Sequence, residues 1–161
     1  MLAPHIRMKK KLKWIFGGLI AGFSLAQLAI PARTNPPVVQ DMLATNVAPA
    51  HVAALLHAAC YDCHSHETSW PWYAHVAPPA WLVIRDVNEG RRHLDLSDWP
   101  AADQERAAKK LDRMSEVIGY DEMPPKKYTM IHADARLTEA DRKELTGWLD
   151  AQAQRLRVVI K

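Results

Sequence analysis

The chain has 161 residues, of which 48% are hydrophobic and 24% are charged. This length suits one folded domain with a targeting segment and leaves little room for a second domain. The formal net charge of +3 is misleading, because five basic residues precede residue 14 without an acidic partner, and the remainder carries 16 Lys and Arg against 18 Asp and Glu. A basic face that would bind nucleic acid is therefore not expected.

An uncharged run of 17 residues, Trp14–Ile30, follows the basic arm 1–13. As an α-helix it would span roughly 26 Å, close to the thickness of the hydrocarbon core of a bilayer. We therefore expect a single transmembrane anchor over residues 14–30 of a bacterial inner-membrane protein, with the arm in the cytoplasm and the rest in the periplasm. The alternative is a signal peptide that is cleaved after Ser24-Leu25-Ala26, and it would export the domain equally.

Residues 31–46 include Pro36-Pro37 and predict an extended linker, which assigns the folded domain to residues 47–161. Four helical patterns follow and no pattern predicts a strand, so the expected fold class is all-α. The helices are expected from about Pro49 to Cys60, from Pro78-Pro79 to Gly90, from Pro100 to Gly119, and from Thr138 onward. Their apolar stripes predict these core residues: Val52, Leu55, Leu56 and Ala59; Ala80, Val83, Ile84 and Val87; Ala107, Leu111, Met114 and Ile118; Leu145, Trp148, Leu149 and Leu156.

The two cysteines of the chain both fall in Cys60-Tyr61-Asp62-Cys63-His64, the C-x-x-C-H pattern of c-type haem attachment. The spacing suits this chemistry, because two thiols three residues apart can add across the two vinyl groups on one edge of a porphyrin. The histidine that follows then reaches the iron from one side of the ring. We therefore expect one covalent haem c, attached through Cys60 and Cys63, with His64 as an iron ligand.

Three other uses of the cysteine pair carry less weight. A disulfide between Cys60 and Cys63 would close a very short loop and stabilise little. A thioredoxin-like redox pair requires a strand before the cysteines and a helix that begins at them, whereas here a helix is expected to end at Cys60. A zinc site would recruit His57, His64 or His66, but a second pair of ligands at regular spacing is missing.

The iron of a cytochrome normally takes its second axial ligand from Met or His. Met123 is favoured, because it lies in the long segment between the last two helices and precedes Pro124-Pro125, which stiffen the loop. Met130 and His132 lie in the same segment and remain alternatives. Met114 falls on the apolar stripe of the third helix, where a core role is expected.

Three aromatic residues occur together in Trp70-Pro71-Trp72-Tyr73, shortly after the motif. Their ordinary role is packing. In the functional interpretation, Trp70 or Tyr73 lies against the haem edge or donates a hydrogen bond to a propionate. Pairing with propionates is also a candidate role for three cations: Arg85, Arg91 and Arg92.

With these residues the chain resembles the small haem-binding domain family of bacterial membrane-anchored proteins with one C-x-x-C-H site. Besides the motif, the likeness includes these segments: Arg33-Thr34-Asn35-Pro36-Pro37, Trp70-Pro71-Trp72-Tyr73, Gly90-Arg91, Met123-Pro124, Tyr128, His132 and the helix that carries Trp148. The resemblance implies a cytochrome c-like helical fold, covalent haem c and an uncleaved N-terminal helix, but no established reaction. One departure is Leu94-Asp95-Leu96-Ser97, where relatives tend to place Asn-Phe after the leucine, and it leaves the polar role of Asp95 open.

The expected function is one-electron transport, in which the iron cycles between two oxidation states at a potential set by its ligands, burial and nearby charge. No substrate pocket is implied, so an enzyme is not expected. The alternative is a peroxidase-like enzyme or a ligand sensor with an open or labile sixth position, in which His66, His75 or His132 would act on the distal side. The expected partners are the membrane and redox proteins of unknown identity.

Overall fold

The structure, a computed structural model, describes residues 4–159. Within that range all regular structure is helical, and a lone parallel bridge between Gln40 and Asp98 is the one trace of β pairing. The all-α class is therefore confirmed. The helices are α1 Pro4–Leu28, α2 Met42–Thr45, α3 Ala50–Leu56, α4 Asp62–His64, α5 Pro79–His93, α6 Gln104–Gly119, α7 Lys126–Thr129 and α8 Glu139–Val159, with a π-helical turn at His57–Tyr61 and 3-10 turns at Trp72–His75 and Ala133–Ala135.

The chain divides into two compact units. The first comprises the described residues up to Arg33 together with Trp70–Arg85, and the second comprises Thr34–Ser69 and the residues from Asp86 onward. In the first unit the end of α1 is hydrogen bonded to the segment around Ala77: the Gln27 side chain accepts the Ala77 N–H at 2.9 Å, and the Trp81 indole donates to Ala29 O at 3.1 Å.

The segment 14–30, for which a transmembrane anchor is predicted, lies largely within α1. Its large apolar side chains are exposed, among them Trp14, Phe16 and Leu28. Over the described part of the chain, no helix combines the length and the apolarity that a membrane crossing requires. The predicted transmembrane helix is therefore not found.

The second unit has one apolar core, built from α3, α6 and α8. α6 and α8 pack along each other, and α3 packs against α8. Nearly all of the predicted stripe residues of these helices are buried or partly buried in this cluster: Val52, Leu55, Leu56, Ala107, Leu111, Met114, Ile118, Leu145, Trp148, Leu149 and Leu156. Burial of a leucine-sized side chain contributes about 1.5–3 kcal/mol, so these stripes are a substantial source of stability for the unit.

α8 begins next to Thr138, as predicted, and its start is capped by Thr138 and Asp141. The Thr138 hydroxyl accepts the Asp141 N–H at 3.1 Å, and the Asp141 carboxylate accepts the Thr138 N–H at 2.8 Å. Two of the free N–H groups at the helix start are thereby satisfied.

The segment 31–46, which the prolines predict to be a linker, joins the second unit from Thr34 onward. Val39 and Gln40 both donate their N–H groups to Ser97 O at 2.9 Å, and Met42 is fully buried in the core. The segment has no regular structure around Pro36 and Pro37, as predicted. Its backbone hydrogen bonds to Ser97 attach it to the unit, and no local sequence pattern predicts such bonds. The folded unit therefore includes residues that the sequence pattern assigned to a linker.

Gly90 of α5 lies against the backbone of Cys63. A Cβ atom at Gly90 would be 2.4 Å from Cys63 O and 3.1 Å from Cys63 C. These are backbone atoms, which cannot move aside as the end of a flexible side chain can. The close approach of α5 to the cysteine motif therefore requires glycine at this position.

We expect Gly90→Ala to destabilise the protein by about 1–3 kcal/mol, because the added methyl group overpacks a rigid contact. Gly147, which is exposed in the middle of α8 and where an added methyl group would have nothing within 4 Å, is the matched control. Gly147→Ala should stabilise the protein by up to about 1 kcal/mol, because alanine has the higher helix propensity. The measurement is the free energy of unfolding in urea, and shifts of the same sign for both variants would contradict the assignment.

Candidate functional site

The cysteine motif lies on a continuous helical segment. α3 passes into the π-helical turn His57–Tyr61 and then into α4, which ends at His64. The helix that was predicted to end at Cys60 therefore continues through the motif. The prediction was wrong because a π turn interrupts the 3.6-residue period by which a helix is recognised in sequence.

The His64 ring is held by two backbone carbonyls at the C-terminal end of α5. Its Nδ1 lies 3.0 Å from Gly90 O and 3.0 Å from Leu94 O. Both partners are acceptors, so Nδ1 carries the proton, and in the neutral ring Nε2 keeps its lone pair. Burial lowers the pKa of His64, which keeps the ring neutral at neutral pH. This is the tautomer and charge state of a histidine that binds a metal through Nε2.

The two cysteines are partly buried and form no disulfide. Burial, reinforced by the charge of Cys63, raises the pKa of the Cys60 thiol to about 12, and burial also raises the pKa of the Cys63 thiol to about 11. Both groups are therefore neutral thiols at neutral pH. A redox pair of the thioredoxin type needs the opposite shift, towards a reactive thiolate.

A zinc site is likewise not supported by the geometry. In the described range no three His, Cys, Asp or Glu side chains are grouped so that they could hold a metal ion. The His57 ring packs on the Tyr61 ring at 4.1 Å between centroids. The thiols and His64 thus lack the further protein ligands that tetrahedral zinc requires.

His66 lies between two acceptors. Its Nδ1 is 2.9 Å from Pro37 O, and its Nε2 is 2.9 Å from the Asp95 carboxylate. The other oxygen of Asp95 accepts the N–H groups of Ser97 and Asp98. The polar role of Asp95 is therefore to join these segments, and His66 is already engaged in the same network.

Arg91 is also engaged within the second unit. Its guanidinium donates to Ser65 O at 2.7 Å, to Thr34 O at 2.8 Å, to the Asn35 side chain at 3.0 Å and to the Thr68 hydroxyl at 2.8 Å. Four of its five N–H donors are used, so Arg91 connects the residue 34–35 segment to the loop after the motif. The interpretation of Arg91 as a propionate partner is not supported.

Asp62, the second variable residue of the motif, connects the motif to two other segments. One carboxylate oxygen accepts the Ser69 N–H, and the other accepts the Tyr128 hydroxyl, both at 2.9 Å. The carbonyl of Asp62 accepts the Thr68 hydroxyl at 2.8 Å. Sequence reasoning missed this role, because an acidic residue at a variable motif position gives no signal of its own.

The segment between α6 and α8 lies beside the motif. α7 carries Tyr128, which reaches Asp62, and the 3-10 turn Ala133–Ala135 packs against the π turn His57–Tyr61. The long segment between α6 and α8 therefore contacts the motif at two places.

The three candidate sixth ligands differ in their surroundings. Met123 is 36% exposed and is joined to Pro124 by a cis peptide bond. Met130 is 75% exposed, and the ring centroid of His132 lies 4.0 Å from that of Tyr128. None of the three is linked to His64 by a described contact, so the choice of Met123 stays a prediction.

The aromatic candidates lie in the first unit. Tyr73 makes an edge contact with Trp72, at 5.8 Å between ring centroids, and Trp72 itself is largely exposed. Trp70 is partly buried. The proposed contacts of Trp70 and Tyr73 with a haem stay predictions.

The donor set fits a haem group. Two neutral thiols flank one helical turn, and the histidine that follows presents an unprotonated Nε2 without a hydrogen-bond partner in the described range. Arg92 is paired with Glu89 and needs no further ligand. The fit therefore depends on Cys60, Cys63 and His64.

Comparisons with known proteins agree with this chemistry. A family model described as a haem-binding domain matches residues 21–151. Among curated proteins, cytochrome c peroxidase Ccp of Escherichia coli (strain K12) is 26% identical over 101 residues, which cover 61% of this chain and 22% of that protein. The chain thus spans about a fifth of the length of this relative, and no solved structure matches it. Because the family model covers most of the chain, the chain belongs to the haem-binding domain family and is a haem protein.

Proposed function

We propose that this protein is a one-electron carrier with a single haem c, attached through Cys60 and Cys63 and ligated by His64 and Met123. The observation that carries the proposal is the orientation of His64. Its Nδ1–H is committed to Gly90 O and Leu94 O, and this leaves Nε2 as a metal ligand beside two free thiols.

The bound group would supply an iron that accepts and returns one electron. The protein holds the ring of His64 in one orientation through two hydrogen bonds. Both acceptors lie at the C-terminal end of α5, where the helix dipole is negative, and they make the imidazole a stronger donor. A more basic imidazole favours ferric iron and lowers the reduction potential.

The second candidate function is a peroxidase-like enzyme or a ligand sensor. It is favoured by the similarity to cytochrome c peroxidase Ccp, although the match covers only 22% of that protein. It is also favoured by the 36% exposure of Met123, since an exposed thioether is more readily displaced. His66 is engaged with Asp95 and Pro37, which makes it less suited to act as an acid–base group on the distal side.

We further propose that the haem domain works outside the cytoplasm, with redox proteins as partners and the membrane near its N-terminus. The support is the order of the N-terminal segments, in which a basic arm precedes an uncharged run of 17 residues. Two export mechanisms are compatible with that order, retention of the segment and cleavage after Ala26.

Covalent attachment is tested by extraction with acid and organic solvent. Protein made in a host that matures c-type haem should keep its haem on the polypeptide. Replacement of both Cys60 and Cys63 by Ala should release it, because the two thioether bonds are then absent. The matched control Met130→Ala should keep it. Complete release of haem from the unaltered protein would refute covalent attachment.

The sixth ligand is tested in the ferric spectrum. Met123→Ala should abolish the far-red sulfur-to-iron band and raise the affinity for added imidazole at least tenfold, because the iron loses its thioether. It should also lower the potential, since thioether ligation favours ferrous iron. Met130→Ala and His132→Ala are the matched controls, and a spectrum that changes only with His132→Ala would assign bis-histidine ligation instead.

Export is tested with reporters fused after residue 161. The basic arm should stay in the cytoplasm and the domain should be exported. A fused alkaline phosphatase, which is active outside the cytoplasm, should therefore be active, and a fused protein that fluoresces only in the cytoplasm should show no fluorescence. The N-terminal sequence of the purified protein then separates retention from cleavage, which would leave Gln27 first. The opposite reporter pattern would place the domain in the cytoplasm.

A further inference from the structure

The chain reverses direction immediately before Met123. α6 ends at Gly119, and Asp121 adopts a positive φ of 58°, the left-handed conformation that commonly ends a helix. The Glu122 and Met123 N–H groups then both donate to Val117 O, at 2.9 and 3.2 Å. The amide side of Met123 is thereby tied to the last turn of α6.

The carbonyl side of the same turn is held by Arg142, which comes from α8. One guanidinium nitrogen donates to Ile118 O at 3.1 Å and to Met123 O at 3.3 Å. The other pairs with the Asp121 carboxylate. The Arg142 side chain is 23% exposed, whereas that of Asp121 is 53% exposed, so the cation rather than the acid is the enclosed member of the pair.

We propose that Arg142 is a positioning residue for the sixth iron ligand: it holds the Met123 backbone against α6 and α8, so that the thioether is presented in one place. This inference rests on the proposed ligation by Met123. A bond from a thioether to iron is weak, and ordering a mobile loop residue costs about 1–2 kcal/mol in backbone entropy alone. A backbone that is already ordered in the protein removes that cost when the ligand binds.

Arginine suits this position because its planar guanidinium group can donate to acceptors on Ile118, Met123 and Asp121 at the same time. The ammonium group of lysine is a compact point charge and does not reproduce that geometry. A structural role limited to charge balance with Asp121 would be fulfilled by lysine. The Arg142→Lys variant therefore distinguishes positioning from charge.

The chain offers a matched control in Arg136. Its guanidinium donates to Thr129 O at 2.8 Å and to Met130 O at 3.4 Å. Arg136 thus holds the segment that carries the rival ligands Met130 and His132, as Arg142 holds the turn that carries Met123. Substitution of Arg142 therefore tests ligation by Met123, and substitution of Arg136 tests ligation from the Met130–His132 segment.

The experiment compares Arg142→Ala, Arg142→Lys and Arg136→Ala as full-length haem-loaded proteins. For Arg142→Ala we expect a weakened far-red band and imidazole affinity increased about tenfold, which corresponds to about 1.4 kcal/mol. Amide hydrogen exchange at Glu122 and Met123 should accelerate in the same variant. Arg142→Lys should show most of the change, and Arg136→Ala should leave the band and the imidazole affinity as they are.

Three outcomes would overturn the inference. If Met123→Ala removes the band but Arg142→Ala does not alter it, the ligand assignment survives and Arg142 has no positioning role. If Arg142→Lys behaves as the unaltered protein, the role is charge balance alone. If Arg136→Ala alters the band and Arg142→Ala does not, the thioether ligand is Met130, and the proposed ligation by Met123 fails as well.

Arg142→Ala could also prevent folding, so Asp121→Asn is the second variant. It removes the charge partner and leaves both carbonyl contacts of the guanidinium available. We expect a normal band together with a smaller increase in imidazole affinity, no more than about threefold. A complete loss of the band in folded Asp121→Asn would show that the carbonyl contacts do not position Met123.

Discussion

The contact between the end of α5 and the cysteine motif is the constraint on which the site depends. The His64 ring can donate to Gly90 O and Leu94 O only if α5 approaches the Cys63 backbone closely, and that approach is possible only because residue 90 has no side chain. A van der Waals contact of the backbone thus determines the tautomer of His64. The donor strength of His64 therefore depends on a residue that carries no functional group.

Three cross-connections hold the remaining segments around this contact. Arg91 joins residues 34 and 35 to the loop after the motif, Asp62 joins the motif to Tyr128, and Arg142 joins α8 to the turn before Met123. Arg91 and Arg142 each donate to backbone oxygens of distant segments as well as to side chains, and Asp62 accepts through its carboxylate. The part-buried hydrogen bonds among them, such as those from Arg91 to Ser65 O and from Tyr128 to Asp62, add modest net stability but are costly to leave unmade, so they favour one arrangement of the loops.

The predictable part of the fold is the part that local periodicity encodes. The buried stripes of α6 and α8 follow from apolar residues at spacings of three and four, and the start of α8 follows from Thr138 and Asp141. The C-x-x-C-H spacing likewise predicts the haem chemistry of the site, which the family match supports. In each case the feature can be predicted from residues that are close together in the sequence.

The unpredicted part consists of contacts between residues far apart in the chain. The residue 34–46 segment looks like a linker because its attachment to Ser97 uses backbone atoms, which carry no residue-specific pattern. Arg91 looks like a free cation because its four acceptors come from two distant segments. The π turn at His57–Tyr61 conceals the continuation of the helix, because it shifts the phase of the side chains.

The hydrogen bonds of Arg91 join residues that are far apart in sequence, so they can form only after residue 91 of the chain has been synthesised. Arg91 lies 57 residues after Thr34 and 26 residues after Ser65, and Gly90 lies 26 residues after His64. As the chain is synthesised from its N-terminus, the motif appears before Gly90 and Leu94, which hold the His64 ring, and before α6 and α8, which complete the core. Until α6 and α8 have been synthesised, the core is incomplete and the motif belongs to an unfolded chain. The two thiols therefore have an interval of exposure before folding, and that interval ends only when the C-terminal helix has joined the core.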